Sequence, residues 1–325
     1  MNILFDGNFL IHKCFHVFSK YYKNEDMSDV LSQLDKRQVL IRKCVIDMCF
    51  CVNKFTDVKR VAVVIDSSSW RYNFYANYKY SLIKVKDPWY KEFLLVIDEF
   101  EKLLRKKGII VSRVQGAEGD DLLYVWSLYF GYCLDEKLVI ITGDSDIRQI
   151  ITRNVSLFNN NSERLTLYCD KSNEVYWNEY LDTNIMVVPV KPFEILLYKV
   201  IMGDSSDNIP KIKKGFGKVA FGKFIEYLNT CEQPDMNSGF VDMVRWISMR
   251  FAEFTKQQEH DVFNAVYFNL QMVWLNLSVY NENNYESENG KSLLENMLDD
   301  VAKQKDQYSY NKSYSLEEFY GMIIK

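Results

Sequence analysis

Short apolar, β-branched runs recur along the first half of the chain: NILF at 2–5, RVAVVI at 60–65, GIIVSRV at 108–114 and KLVIIT at 137–142. Between them lie stretches with apolar residues at helical spacing. LSQLDKRQVLIRKCVIDMCFCV at 31–52 is long and amphipathic. YKEFLLVIDEFEKLLRKKG at 90–108 ends in a basic turn followed by Gly108, a helix stop. DDLLYVWSLYFG at 120–131 opens on carboxylates and closes on a glycine. Strands alternating with helices predict βαβ units and a mostly parallel sheet, an α/β domain over 1–190. From about residue 190 the pattern becomes helical: PFEILLYKVIMG, KVAFGKFIEYL and VDMVRWISMRFAEFTKQQ follow one another, which predicts a helical domain over 191–325. The boundary falls at VVPVKP, near 188–192. NENNYESENGKS at 281–292 reads as a polar loop, and SLEEFYGMII as a terminal helix with Ser315 as N-cap.

Composition narrows the class. With 325 residues, 48% apolar and 26% charged, the chain can bury a sizeable core. The 13 glycines and 5 prolines argue against linkers and disordered tails. A net charge of −4 means that any nucleic-acid contact must come from local basic patches. The seven cysteines are irregularly spaced and set mostly in apolar segments, the pattern of reduced thiols in a cytosolic protein. Cys49 and Cys51 lack a second Cys or His pair, so structural zinc is not expected. MNILFDGNFLIHK has no basic leader and no long apolar run follows, so neither a signal peptide nor a membrane span is expected.

The chemistry lies in the acids. Asp6 follows the first apolar run and Asp66 the second. Glu118, Asp120 and Asp121 open a helix, and Asp144 and Asp146 follow the fourth run. In open parallel sheets, ligands bind beyond the carboxyl ends of the strands. Each acid alone also fits a helix cap or dipole compensation. Gathered on one sheet edge, they need cations, because like charges otherwise force protonation. Oxygen ligands without His or Cys suit Mg²⁺ or Mn²⁺. Two such ions about 4 Å apart would serve a phosphodiester displacement.

A fifth cluster lies in VIMGDSSDNIPKIKKGFGKVAFGKFIEYL, at 200–228. Asp204 and Asp207 stand three apart, then a Gly215–Phe216–Gly217 turn leads into a helix, with Lys211, Lys213, Lys214, Lys218 and Lys223 around it. A glycine turn between helices offers backbone N–H groups to phosphate, and lysines add sequence-independent affinity.

Taken together, FDGN, VVID, GAEGDD, TGDSD and GDSSDN resemble, in order, the motifs of the structure-specific 5′-nuclease family. That family comprises flap endonucleases, the 5′-nuclease domain of bacterial DNA polymerase I and the phage enzymes called RNase H. The resemblance covers roughly residues 1–230 and is nearest to the phage branch. It implies a PIN-like sheet flanked by helices, a helical arch at about 68–91, a helix–three-turn–helix motif at about 200–228 and a helical C-terminal lobe. It also implies that Asp6, Asp66, Glu118, Asp120, Asp121 and Asp144 surround a first metal, and that Asp146, Asp204 and Asp207 surround a second, with Asp144 serving both. Gly215, Gly217 and the lysines of the hairpin would grip duplex DNA, where backbone carbonyls in the family often hold K⁺.

By the same resemblance, SSWRYNFYANYKYSLIKVKDPWYK at 68–91 is the arch, with Lys79 over the scissile phosphate, Arg71 as a second catalytic candidate and Lys84 and Lys86 on the nucleic acid. Its aromatics alternate with cations, which fits base stacking. A core stripe explains most of those aromatics equally simply. Leu82 stands where the family commonly has an Arg, and KIKKGFG carries one residue more than the commonest hairpin turn.

The implied activity is Mg²⁺-dependent hydrolysis near 5′ ends of DNA flaps and of RNA or DNA in duplexes, with removal of RNA primers during lagging-strand replication. Implied partners are DNA and RNA–DNA duplexes, with a single-strand binding protein or clamp as candidates, for a monomer working in the cytoplasm, or the host cytoplasm if phage-encoded. Two alternatives compete. A phosphatase of the haloacid dehalogenase type needs Asp-x-Asp after the first strand, and this chain has Asp6–Gly7–Asn8. A non-catalytic DNA-binding protein with a decayed site should have lost acids, and all are present. His12, His16 and His260 are assigned no chemistry.

Overall fold

The computed structural model describes residues 1–79, 87–170, 172–176, 185–234, 239–282 and 290–307. These residues form two compact units. A sheet unit contains the described residues of Met1–Ser69, Val85–Val190 and Glu295–Lys325, and a helical unit those of Trp70–Lys84 and Lys191–Leu294. The expected division into 1–190 and 191–325 treated each domain as one stretch, whereas both units draw on separated stretches.

Seven strands make one sheet: β1 (Asn2–Asp6), β2 (Arg60–Val64), β3 (Ile110–Ser112), β4 (Leu138–Ile141), β5 (Val155–Asn159), β6 (Arg164–Tyr168) and β7 (Met186–Val190). Their order is β3-β2-β1-β4-β5-β6-β7, and every pair is parallel except β5–β6. The four strands expected from the apolar runs are β1 to β4. VSLFN, RLTLY and MVVPV, at the expected boundary, are further strands, in the first two of which polar residues, and in the last a proline, interrupt the apolar run.

In chain order the helices begin with α1 (Gly7–Ser19), α2 (Met27–Ser32), α3 (Leu34–Val52), α4 (Arg71–Phe74), α5 (Tyr90–Lys106) and α6 (Gly119–Leu128). They continue with α7 (Pro192–Met202), α8 (Lys218–Leu228), α9 (Phe240–Thr255), α10 (Glu259–Val273), α11 (Leu277–Glu282) and α12 (Leu293–Gln307). The polar stretch 281–292 lies largely, and the terminal SLEEFYGMII wholly, outside the described residues. No helix among the described residues is long and apolar enough to cross a membrane.

One core cluster packs β1, β2 and β4 against α1, α3 and α5. In α5 the buried residues Phe93, Val96, Ile97, Phe100 and Leu104 recur every three or four positions, the spacing of one helix face. The helix stops at Gly108, whose φ of +75° is left-handed, and the Ile109 N–H reaches back to the Leu104 carbonyl at 3.0 Å. All seven cysteines are free thiols, five of them buried. Burial pushes the Cys49 thiol up to about 11 and the Cys51 thiol to about 12, so both stay neutral and unreactive at ordinary pH. His12 lies with its ring 4.6 Å from Phe93, and burial lowers its pKa.

In the helical unit, Phe216 is 6% exposed and meets Phe251 at 5.0 Å, and Phe224 meets Phe251 and Phe254 at 5.4 and 5.3 Å. An apolar side chain in the middle of the Gly-x-Gly turn thus anchors the hairpin into the α8–α9 core.

Candidate active site

The strand order reverses between β1 and β4. β2 and β3 extend the sheet on one side of β1, whereas the chain crosses to the other side for β4 and β5. Helices leave opposite faces at such a point and open a crevice beyond the strand ends. Asp6 ends β1 there, and Thr142, Gly143 and Asp144 leave β4. Thr142 Oγ1 donates to Asp6 Oδ2 at 2.7 Å and accepts the Asp144 N–H at 3.1 Å. The other Asp6 oxygen accepts the Phe9 N–H at 2.9 Å, making Asp6 the N-cap of α1. Burial raises the Asp6 pKa and the Asp144 charge adds to it, while the Phe9 N–H and Thr142 hydroxyl pull the other way. Two carboxylates that feel each other at a strand switch point form a centre of negative potential.

Glycines let the walls close in. A Cβ on Gly7 would meet the Val64 carbonyl oxygen at 2.6 Å, and one on Gly143 would meet the Phe9 ring at 2.2 Å. The FDGN and TGDSD motifs therefore combine acids with the close packing that holds them.

The acids of β2 and α6 meet at the start of α6. The Gly119 N–H donates to Asp66 Oδ1 at 2.5 Å, and the Asp66 N–H donates to Asn8 Oδ1 at 2.9 Å. Glu118 and Asp121 form a reciprocal capping box, with the Glu118 N–H on Asp121 Oδ2 at 3.0 Å. Ser69 Oγ donates to Glu118 Oε2 at 2.7 Å. Asp121 is fully buried and Glu118 is 9% exposed, while Asp120 is partly exposed on the same turn. Beyond β4, Asp144 Oδ1 accepts the Asp146 N–H at 2.8 Å and starts a 3₁₀ turn over 146–150.

Asp6, Asp66, Glu118, Asp121 and Asp144 thus each accept from a backbone N–H at a helix or turn start. The acids expected as ligands are thus also the capping groups of these helices and turns. Among the described residues no three His, Cys, Asp or Glu side chains form a ready metal cage. The donor set still fits a hard cation, because Mg²⁺ keeps several waters and takes one or two carboxylates directly. The Asp6–Asp144 pair would supply those two.

In the helical unit, the GDSSDN segment is a built loop. Gly203 has φ +66°, and a Cβ there would meet the Ile209 carbonyl oxygen at 2.4 Å. Asp204 and Ile209 exchange backbone hydrogen bonds of 2.9 and 2.7 Å. Asp204 also pairs with Lys199 and accepts from the Ser206 hydroxyl and its N–H. Burial works to raise the Asp204 pKa, but the Lys199 ammonium and Ser206 hold it below the usual carboxylate range. Lys199 is a partner the sequence did not expose, five residues back in an apolar helix. Of the hairpin cations, Lys211, Lys214 and Lys218 are exposed, and Lys213 donates to the Thr255 carbonyl at 3.3 Å. Gly215 has φ +80° and open space around it, and Gly217 N-caps α8.

Arg71, expected to act on substrate, is 3% exposed, with Nε donating to the Met272 carbonyl at 2.8 Å and the guanidinium 4.7 Å from the Trp70 ring. It closes the end of α10 inside the core, where desolvation demands such partners. Trp70 and Tyr78 are buried as well, Tyr72 and Tyr75 are partly buried and Phe74 is exposed, so the aromatics belong only in part to a core stripe. Lys79 is half-buried, with Nζ 5.0 Å from the Tyr78 ring centroid. Lys84 and Lys86 lie outside the described residues.

Comparison with known proteins places this geometry. The family model for the 5′-3′ exonuclease, N-terminal resolvase-like domain, matches residues 1–178. A 5′-3′ exonuclease of Buchnera aphidicola subsp. Acyrthosiphon pisum is 27% identical over 175 residues, 52% of this chain and 53% of that relative. A second, from Buchnera aphidicola subsp. Schizaphis graminum, is 26% identical over 219 residues, 65% of each chain. The chain thus spans between half and two thirds of the length of these curated relatives. Among solved structures, the bacteriophage T5 flap endonuclease in a pseudo-enzyme–product complex with DNA and metal ions superposes with a TM-score of 0.56, at 13% identity, covering 95% of this chain and 99% of that one. The match shows a shared PIN-like fold. With its motifs in order along the chain and its family model covering more than half of its length, the chain belongs to the 5′-3′ exonuclease family.

Proposed function

We propose that the protein is a divalent-metal-dependent, structure-specific 5′-nuclease. It hydrolyses phosphodiesters near the 5′ ends of DNA flaps and of RNA or DNA in duplexes, and removes RNA primers in lagging-strand replication. The observation that carries this is the Asp6–Thr142–Asp144 arrangement at the strand switch point. Family membership gives the reaction class.

Asp6 and Asp144 would hold Mg²⁺ or Mn²⁺, with Asp66, Glu118, Asp120 and Asp121 lining the same strand edge. A divalent ion bound there lowers the pKa of a coordinated water and stabilises charge on the leaving oxygen. Thr142 fixes the orientation of Asp6 so that no reorganisation is needed during the reaction. Lys79 supplies positive charge against the phosphate as negative charge develops. Lys211, Lys214 and Lys218 contact the duplex backbone without reading bases, and the Gly215 turn offers carbonyls to a monovalent ion such as K⁺.

The test incubates the protein and Mg²⁺ with end-labelled 5′-flap, nicked and RNA–DNA duplexes. Metal-dependent release of short 5′ fragments is expected; no cleavage of any of the three overturns the proposal.

A further inference from the structure

Hydrogen bonds join the base of the arch, residues 75–79, to the GDSSDN loop within the helical unit. Tyr75 Oη donates to the Asn208 carbonyl at 3.1 Å, and Asn208 Nδ2 donates to the Asn77 carbonyl at 3.1 Å. The Lys79 N–H donates to the Asp207 carbonyl at 3.2 Å, and Tyr78 Oη to Asp207 Oδ2 at 3.4 Å. Beneath them Tyr78, Ile209 and Met272 form a small buried cluster against which Tyr72, Tyr75 and Phe268 pack. Tyr75 meets Phe268 edge-on at 5.1 Å, and Tyr72 meets Tyr78 at 5.4 Å.

The backbone shows that this contact is specific. Asn208 has φ +62° and Lys79 has φ +49°. Asparagine tolerates the left-handed region, and its side chain is the one that bridges to Asn77. Lysine is disfavoured there, and such a residue persists only when its surroundings over-determine it. Around Lys79 stand the Asp207 carbonyl and the Tyr78 ring, whose hydroxyl donates to Asp207. The direction in which Lys79 leaves the backbone therefore depends on its contacts with the GDSSDN loop.

We infer that Tyr75 and Asn208 are positioning residues, a staple that sets the direction of Lys79 and ties it to the loop carrying Asp204 and Asp207. The inference rests on the nuclease function proposed above for Lys79. In effect the arch base and the GDSSDN loop form one frame.

The test uses the full chain and Asn208→Gly, which keeps the left-handed backbone but removes the side-chain bridge. Hydrogen exchange at the Lys79 amide reads the staple without any activity, and it is expected to quicken roughly tenfold. Single-turnover cleavage of a 5′-flap DNA is expected to fall about 10- to 100-fold, with flap affinity unchanged. A purely structural role would lower the melting temperature alike on any background. Positioning through Lys79 instead requires the rate loss to vanish when Asn208→Gly is added to Lys79→Ala. Tyr75→Phe, which removes one hydroxyl and keeps the ring, is expected to show the same pattern more weakly, and it serves if Asn208→Gly does not fold. Unchanged exchange, or a rate loss that persists in full beside Lys79→Ala, overturns the staple. A wild-type protein that cleaves nothing, yet shows the faster exchange in Asn208→Gly, overturns the nuclease function and leaves the staple standing.

Discussion

Thr142 Oγ1 lies 2.7 Å from Asp6 Oδ2, so a hydroxyl from the end of β4 orients the carboxylate at the end of β1. The same oxygen accepts the Asp144 N–H, which makes Thr142 the hinge of the acidic pair. Thr142→Val keeps the shape and removes both bonds. It should cost about 1–3 kcal/mol, since a buried acceptor loses its donor. It should also raise the Mg²⁺ concentration needed for half-maximal cleavage. Chemical denaturation and a metal titration of activity check the two effects.

Asp204 and Lys199 form a mostly buried ion pair, with side chains 10% and 17% exposed. Lys199→Met leaves Asp204 unpaired and should destabilise the protein by about 3 kcal/mol, because a buried charge without its partner is strongly unfavourable. Lys199→Met with Asp204→Asn should recover most of that loss. Denaturant midpoints of the two variants decide it.

How much of this was legible in the sequence varies by element. β1, β2, β4 and the acids that follow them stood out because a run of buried residues ending in a charge is unusual, and the topology places Asp6, Asp66 and Asp144 at the strand ends. Thr142 lay unmarked inside TGDSD, since a threonine ending a strand has no distinctive pattern. The resemblance makes Arg71 a second catalytic candidate; its burial against the Trp70 ring and the Met272 carbonyl comes from a helix two hundred residues away and leaves no mark on the local sequence. Lys199 and Asn208 escaped notice for a similar reason: their partners are set by a loop closure between Gly203 and Pro210 that periodicity does not encode. β5 to β7 carry no such mark, because Ser, Asn, Arg, Thr and Pro interrupt their apolar residues.

Asp300 accepts from Ser112 Oγ at 2.5 Å and from Gln304 Nε2 at 2.9 Å. Burial raises its pKa above the ordinary 3.8, and those two bonds offset only part of the rise. The folded state thus holds this proton more tightly than the unfolded chain. Its contribution is fully present below the unfolded value and is lost as pH rises through the folded value. Asp300→Asn should therefore gain in melting temperature relative to wild type as pH rises above the ordinary 3.8. A pH series of thermal melts checks the sign.

Gly203 combines φ +66° with the Ile209 carbonyl 2.4 Å from any added Cβ. Gly203→Ala should cost at least about 1–3 kcal/mol from backbone strain alone. It should also weaken protection of the Asp204 and Ile209 amides, which hydrogen exchange reads directly.

The most direct test of the central claim is single-turnover cleavage of a 5′-flap DNA by Asp144→Asn across a Mg²⁺ titration. The expected result is a rate lower by about 10²–10³-fold at saturating DNA, with flap binding intact, because the acidic pair has lost a ligand charge. A variant that cleaves at the wild-type rate with the wild-type Mg²⁺ dependence would contradict the assignment of the β1–β4 switch point as the active site.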